Sequence, residues 1–345
     1  MKKIVIYTAL FLIFITLSRA ESPTQDLDQA STATEVAFGN EYLHRKPPVE
    51  FDKQWYDVRP RTEKGVYPNV PPDWQPMPNP RYEVPEGHPL EGLRICVDAG
   101  HGGQVWGSTH GYTSGTRGRN TGFTESEANL RTAFFLWDLL TQAGAEVTMT
   151  LTGPDRMAEP CYAPPKSEEW NKNRNQELYS RVQIADKAGC DYFITIHHNA
   201  GSKSNYVSCY YYDTRQWDDK YNATAPYVKR YPDEELNRER YQMAIEIQNA
   251  LSRRLNLRVI DPAIEWSKMY YGHGVPSHDI VVLRESKLVG VLVEVSFMTD
   301  PEEDLRLNDP ARAKQAAAGI FEGILANFRF RPIRRWSERP LAKPQ

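Results

Sequence analysis

Two imidazoles and two carboxylates sit where side chains of their kind need a reason. His101 lies in a glycine-rich turn directly after the apolar run 93–98. Glu125 follows near the start of a helix-like segment, and His197 closes an apolar run that opens at Asp191. Glu294 interrupts the almost wholly apolar stretch 291–297 (VLVEVSF). Taken singly, His101 could cap a loop, Glu125 could complement a helix dipole, and His197 could be a satisfied core histidine. Glu294 resists so plain a reading, because a carboxylate among Val and Leu is costly unless paired, protonated or near a metal. Taken together, two imidazoles and one carboxylate make a ligand set for catalytic zinc with a position left open for water. The remaining carboxylate can then take that water's proton. His198 competes with His197 for the ligand role, and since adjacent strand residues face opposite ways only one of them reaches the metal.

These residues must be positioned by alternating elements. A strand is expected at 93–98, with a tight turn at 99–103. Thr124 opens a helix whose capping box is completed by Glu127, and Leu130, Ala133, Phe134, Trp137 and Leu140 form its apolar face. Further strands are expected at 146–151, 191–197, 206–212, 280–283 and 289–295, the last central because it is almost wholly apolar. Helices are expected at 178–187, 236–255 and 310–328. The order predicts an α/β domain: a twisted, mostly parallel or mixed sheet flanked by helices on both faces. Functional groups in such folds collect outside the strand ends.

Four motifs, 97–103 (VDAGHGG), 123–130 (FTESEANL), 195–199 (TIHHN) and 291–297 (VLVEVSF), resemble the zinc-dependent N-acetylmuramoyl-L-alanine amidases of the type 3 family in order and separation. The resemblance spans about residues 92–328. It implies one Zn²⁺ per chain held by His101, Glu125 and His197, with Glu294 as the catalytic carboxylate. It favours His197 over His198, because the family pattern has a single imidazole before a small residue and Asn. Arg181 and Arg284 match supporting family positions, and structural ion pairing explains them equally well. The implied reaction is hydrolysis of the amide joining the lactyl group of N-acetylmuramic acid to L-alanine in peptidoglycan. Departures from the family are the long stretch 104–120, the long segment 213–235, and Ser296 in place of Gly.

The N-terminus reads as a targeting segment: Lys2 and Lys3, an apolar run 4–17, then Ser18, Arg19 and Ala20 at the cleavage positions. Cleavage after Ala20 would take the net charge from −3 to −6. That implies export to the periplasm or the exterior, with no membrane association of the mature form. Residues 21–91 are proline-rich and read as an extended linker; 92–328 form the catalytic domain, and 329–345 read as a basic, flexible tail. Over the 345 residues a mean hydropathy of −0.62 excludes a membrane bundle, and an isoelectric point near 6.3 gives no basic field for nucleic acid. Of the four cysteines, Cys96 and Cys190 are the expected bridge if there is one. Tyr210, Tyr211, Tyr212, Trp217 and Tyr221 suggest a sugar-stacking surface, 213–240 a lid or the docking site of a regulatory protein, and His273 and His278 substrate contacts.

Competing readings are a zinc peptidase or carboxypeptidase acting on stem peptides, and a catalytically silent wall-binding protein of the same fold. A nucleotide-binding domain is opposed by Val105 at the third glycine position of the dinucleotide fingerprint.

Overall fold

The computed structural model describes residues 84–102, 115–153, 156–157, 175–201, 205–216, 232–260, 271 and 274–340. The expected targeting segment 1–20 and the expected linker up to residue 83 lie outside the described residues. So do Cys161, Trp217, Tyr221, His273 and all of 103–114.

Strands β1 (Arg94–Ala99), β2 (Glu146–Met149), β5 (Tyr192–Asn199) and β8 (Val289–Phe297) run parallel in one sheet. β6 (Tyr206–Tyr211) is antiparallel to β8 and carries the short β7 (Arg258–Val259) at the edge. The order is β2-β1-β5-β8-β6-β7, while β3 (Leu151–Gly153) and β4 (Arg156–Met157) pair separately. The sheet is thus mixed and mostly parallel. β8 has β5 on one side and β6 on the other, and helices pack on both faces of the sheet, which is why its side chains are apolar apart from Glu294 and Ser296.

Side-chain parity divides the core in two. Ile95, Val97, Ile194, Ile196, Val291, Val293 and Cys209 point to one face, beneath α1 (Glu125–Gln142), α3 (Glu234–Leu255) and α6 (Pro310–Phe328). Cys96, Phe193, Leu292 and Tyr210 point to the other, where α2 (Asn175–Lys187) and α4 (Val281–Glu285) supply Val182, Val282 and Leu283. A short helix, α5 (Pro301–Leu307), follows β8. Among the described residues no helix is long and apolar enough to cross a membrane.

Three expectations need correction. Residues 280–283 do not form a strand: Ile280 caps α4, because β8 already has a neighbour on each side, and the apolar run buries Val282 and Leu283 against the sheet instead. Cys96 and Cys190 are buried free thiols that hydrogen-bond to each other, not a disulfide. Of the basic segment 329–345, the described part, 329–340, is docked rather than flexible. Trp336 is 3% exposed, Arg335 and Ser337 bond Asp191, and Arg339 reaches Asp233 at 2.9 Å. Its charges thus find acidic partners at the start of β5 and the N-terminus of α3.

Candidate metal centre

The site forms where β1, β5 and β8 end beside the start of α1. Thr124 fixes the phase of that helix: its side chain accepts from Glu127 N–H at 3.3 Å, and the Glu127 carboxylate accepts from Thr124 N–H at 2.9 Å. Glu125 is therefore the first helical residue, turned inward and 5% exposed.

Glu125 Oε1 lies 3.2 Å from His101 Nε2 and 3.1 Å from His197 Nδ1. One ligand atom from each of the three groups falls within 4.8 Å of the others. The two rings meet edge to face with centroids 5.1 Å apart. Burial by itself would raise the Glu125 carboxyl, but His101 and His197 outweigh it and hold the group far below the usual carboxylate range. The second oxygen, Oε2, accepts from Thr116 N–H at 3.0 Å.

Two glycines make this closeness possible. A Cβ on Gly100 would run into the His197 ring, and one on Gly115, at φ +65°, would come within 2.5 Å of Glu125 Oε2. His101 itself adopts φ +60°, an uncommon backbone conformation for a residue with a side chain. Arg181 holds it there by donating to the carbonyls of Ala99 (2.5 Å) and His101 (2.7 Å) while pairing with Asp98 Oδ1 at 2.7 Å. Asp98 also accepts from Thr150 (2.5 Å) and Thr195 (2.6 Å). Burial pushes Asp98 up, but Arg181 and the two hydroxyls prevail and keep it below its ordinary value. Arg181 thus serves as a structural ion-pair partner, and Arg284 does the same, with Asp279 at 2.5 Å and Glu285 at 2.9 Å.

Glu294 is the register partner of His197 on one side and of Ser208 on the other. Its Oε2 is shut off from solvent and has no hydrogen-bond partner. Burial, with the charge of Glu125 adding to it, pushes its carboxyl well above the usual range. His198 points to the opposite face, 1% exposed, and burial pushes it down to about 3, so it stays neutral. Beside His101 and His197 a pocket opens, walled by Leu178, Ile280, Val282 and Leu292.

Of the aromatics expected to stack on sugar, the three described ones, Tyr210, Tyr211 and Tyr212, present no exposed surface for it. Because β6 runs antiparallel to β8, Tyr211 pairs with Val291, well back from Glu294. Tyr210, Tyr211 and Tyr212 are at most 4% exposed and belong to the core. His278 rests its ring 6.1 Å from that of Tyr210. Sequence reasoning passed over Asp98 and Asn129. Asp98 carried the same signal as Glu294, a carboxylate inside an apolar strand.

A family profile described as N-acetylmuramoyl-L-alanine amidase matches residues 95–326. The chain belongs to that family. It is an amidase of peptidoglycan, a hydrolase of the cell wall, and its His101, Glu125 and His197 form a group consistent with the metal site of these enzymes. The amidase reading therefore stands over the peptidase and the silent wall binder. The germination-specific N-acetylmuramoyl-L-alanine amidase of Bacillus subtilis (strain 168) is 25% identical over 242 residues, 70% of this chain and 81% of the relative. N-acetylmuramoyl-L-alanine amidase AmiA of Escherichia coli (strain K12) is 26% identical over 263 residues, 72% and 80% of the two chains. The crystal structure of the amidase Ami1 from Mycobacterium smegmatis aligns with TM-score 0.49 and 18% identity, over 69% of this chain and 98% of that one.

Proposed function

We propose that this amidase holds one Zn²⁺ through His101, Glu125 and His197, and that Glu294 moves the protons as the bond between N-acetylmuramic acid and L-alanine is cut. The observation that carries the reading is the meeting of three donors from separate parts of the chain within 4.8 Å, with Glu294 in register beside them. The donor set fits: two neutral nitrogens and one ionised oxygen suit catalytic zinc and leave coordination open. Bound there, the ion would act as a Lewis acid on the scissile carbonyl and make the attacking water more acidic.

The chain's own residues supply the rest. Glu294 Oε2, lacking any other partner, accepts a proton from the water as its oxygen bonds to the carbonyl carbon. The same carboxyl returns that proton to the amide nitrogen as the C–N bond breaks, so the products are a carboxylic acid and a free amine. Burial raises Glu294, while a cation beside it lowers it, and the two together bring it towards a value suited to accepting and returning a proton. Arg181 and Asp98 keep the His101 turn in its left-handed conformation.

Enzymes of this family act on the wall, outside the cytoplasm. Residues 1–20 fit export with cleavage after Ala20, to the periplasm or the exterior. Segment 213–240 is the proposed docking site for a regulatory protein; deleting 217–231 and finding activity and substrate range unchanged would count against it. The central test is muropeptide product analysis with and without a chelator. Release of intact stem peptides beginning at L-alanine, lost on chelation and regained with zinc, is the expected result.

A further inference from the structure

We propose that Asn129 and His198 together form a brace that sets the spacing of the two imidazoles, and hence the affinity of the centre for its metal. The inference rests on the ligand set proposed above. Asn129 stands four residues beyond Glu125, so one face of α1 presents both the carboxylate and this amide. Its Nδ2 donates to the carbonyl of Gly100, the residue before His101, at 2.8 Å. Its Oδ1 lies 2.7 Å from Nδ1 of His198, the residue after His197. With the amide nitrogen committed to Gly100, the amide oxygen is the acceptor and His198 Nδ1 the donor. Glu125 Oε1 closes the circuit by accepting from the backbone N–H of His198 at 3.3 Å. A single side chain therefore ties the two ligand-bearing segments to each other and to the helix that carries the third ligand.

His198 is not explained by packing. Its Nε2 is buried without a partner, so an apolar ring or a small residue would be buried more cheaply. The bond at Nδ1 is what the imidazole provides. Partners behind metal ligands orient them, and their loss typically weakens metal binding by 10–100-fold.

The test is zinc affinity, measured by competition with a chromogenic chelator, together with the visible spectrum of the cobalt-substituted protein. Asn129→Ala and His198→Ala should each weaken zinc binding by about 10–100-fold and alter the cobalt spectrum. The double variant should be no weaker than the weaker single. Thr132→Val removes another buried hydrogen bond of the same helix, to Ala128 O, and should leave zinc affinity unchanged. Should an alanine variant fail to fold, Asn129→Leu and His198→Leu remove the hydrogen bonds while filling the space, and are read by the same criteria. Zinc affinity within about twofold of wild type in both positions, or an equal loss in Thr132→Val, would overturn the inference. Should His101→Ala bind zinc as tightly as wild type, the ligand assignment fails instead, and the two failures are told apart.

Discussion

Glu294 and His197 are aligned Cα partners on adjacent parallel strands, so their side chains rise side by side from one face of the sheet. The strand immediately bulges, with Asn199 pairing to Phe297, so this alignment is the last in step before the edge. The proposed proton acceptor and the proposed metal donor are thereby held together by backbone hydrogen bonds rather than by each other. Glu294→Ala should accordingly keep zinc and lose about 10²–10⁴-fold in turnover. His101→Ala should lose the metal. Zinc content by atomic emission, beside hydrolysis of purified sacculi, separates the two; full wall-digesting activity in Glu294→Ala would reject the role.

Metal removal makes a second prediction. Chelation should abolish hydrolysis, and zinc at about 100 times its Kd should stabilise the folded chain by about 2.7 kcal/mol over the metal-free form. Thermal melts with and without zinc read this directly. A melting temperature indifferent to zinc in the wild type, beside activity untouched by chelator, would contradict the centre.

Arg181 and Asp98 give a third, with a pH signature. Both are 1% exposed, and losing one partner of a buried pair costs about 3–5 kcal/mol. Arg181→Met should fall by that amount at pH 7. Asp98 is held below its ordinary value, so its contribution is complete above about pH 4, the unfolded value, and is lost as pH falls through the folded one. The gap between wild type and Arg181→Met should therefore narrow in acid. Urea titrations at pH 7 and pH 3 measure it, and a gap of equal size at both would count against the pairing.

The docked segment after α6 makes the fourth. Trp336→Ala should cost about 3–5 kcal/mol, as large buried aromatics do. Arg339→Ala, whose side chain is 33% exposed, should cost less than about 1 kcal/mol despite its two acidic partners. Calorimetry on the two variants ranks them; similar losses would mean that charge, not burial, secures the segment.

Much of the site was legible because its signals are local. Glu294 was conspicuous by cost, Glu125 by its place behind the Thr124 capping box, and His101 by its glycines. Strand parity required one of His197 and His198 to face away, and the structure turns His198 under α1. What the sequence left hidden depends on neighbours. Residues 280–283 are too few for periodicity to separate strand from helix, and only the sheet's filled positions exclude a strand. Tyr210–Tyr212 look like a binding surface until the antiparallel direction of β6 places them in the core. The basic tail looks mobile because its acidic partners, Asp191, Asp233 and Glu235, are distant in sequence. Asn129 has no motif of its own, and its meaning lies wholly in what it bridges.

The arginine- and tryptophan-bearing segment has one more consequence. Arg335 donates to the carbonyl of Gly92, just before β1, and to Asp191, just before β5. The way into the catalytic body and the way out of it are thus stapled together behind the sheet, at the end opposite the histidines. Anything that anchors the enzyme through them would grip it from the rear, leaving the working end free to travel along its polymer.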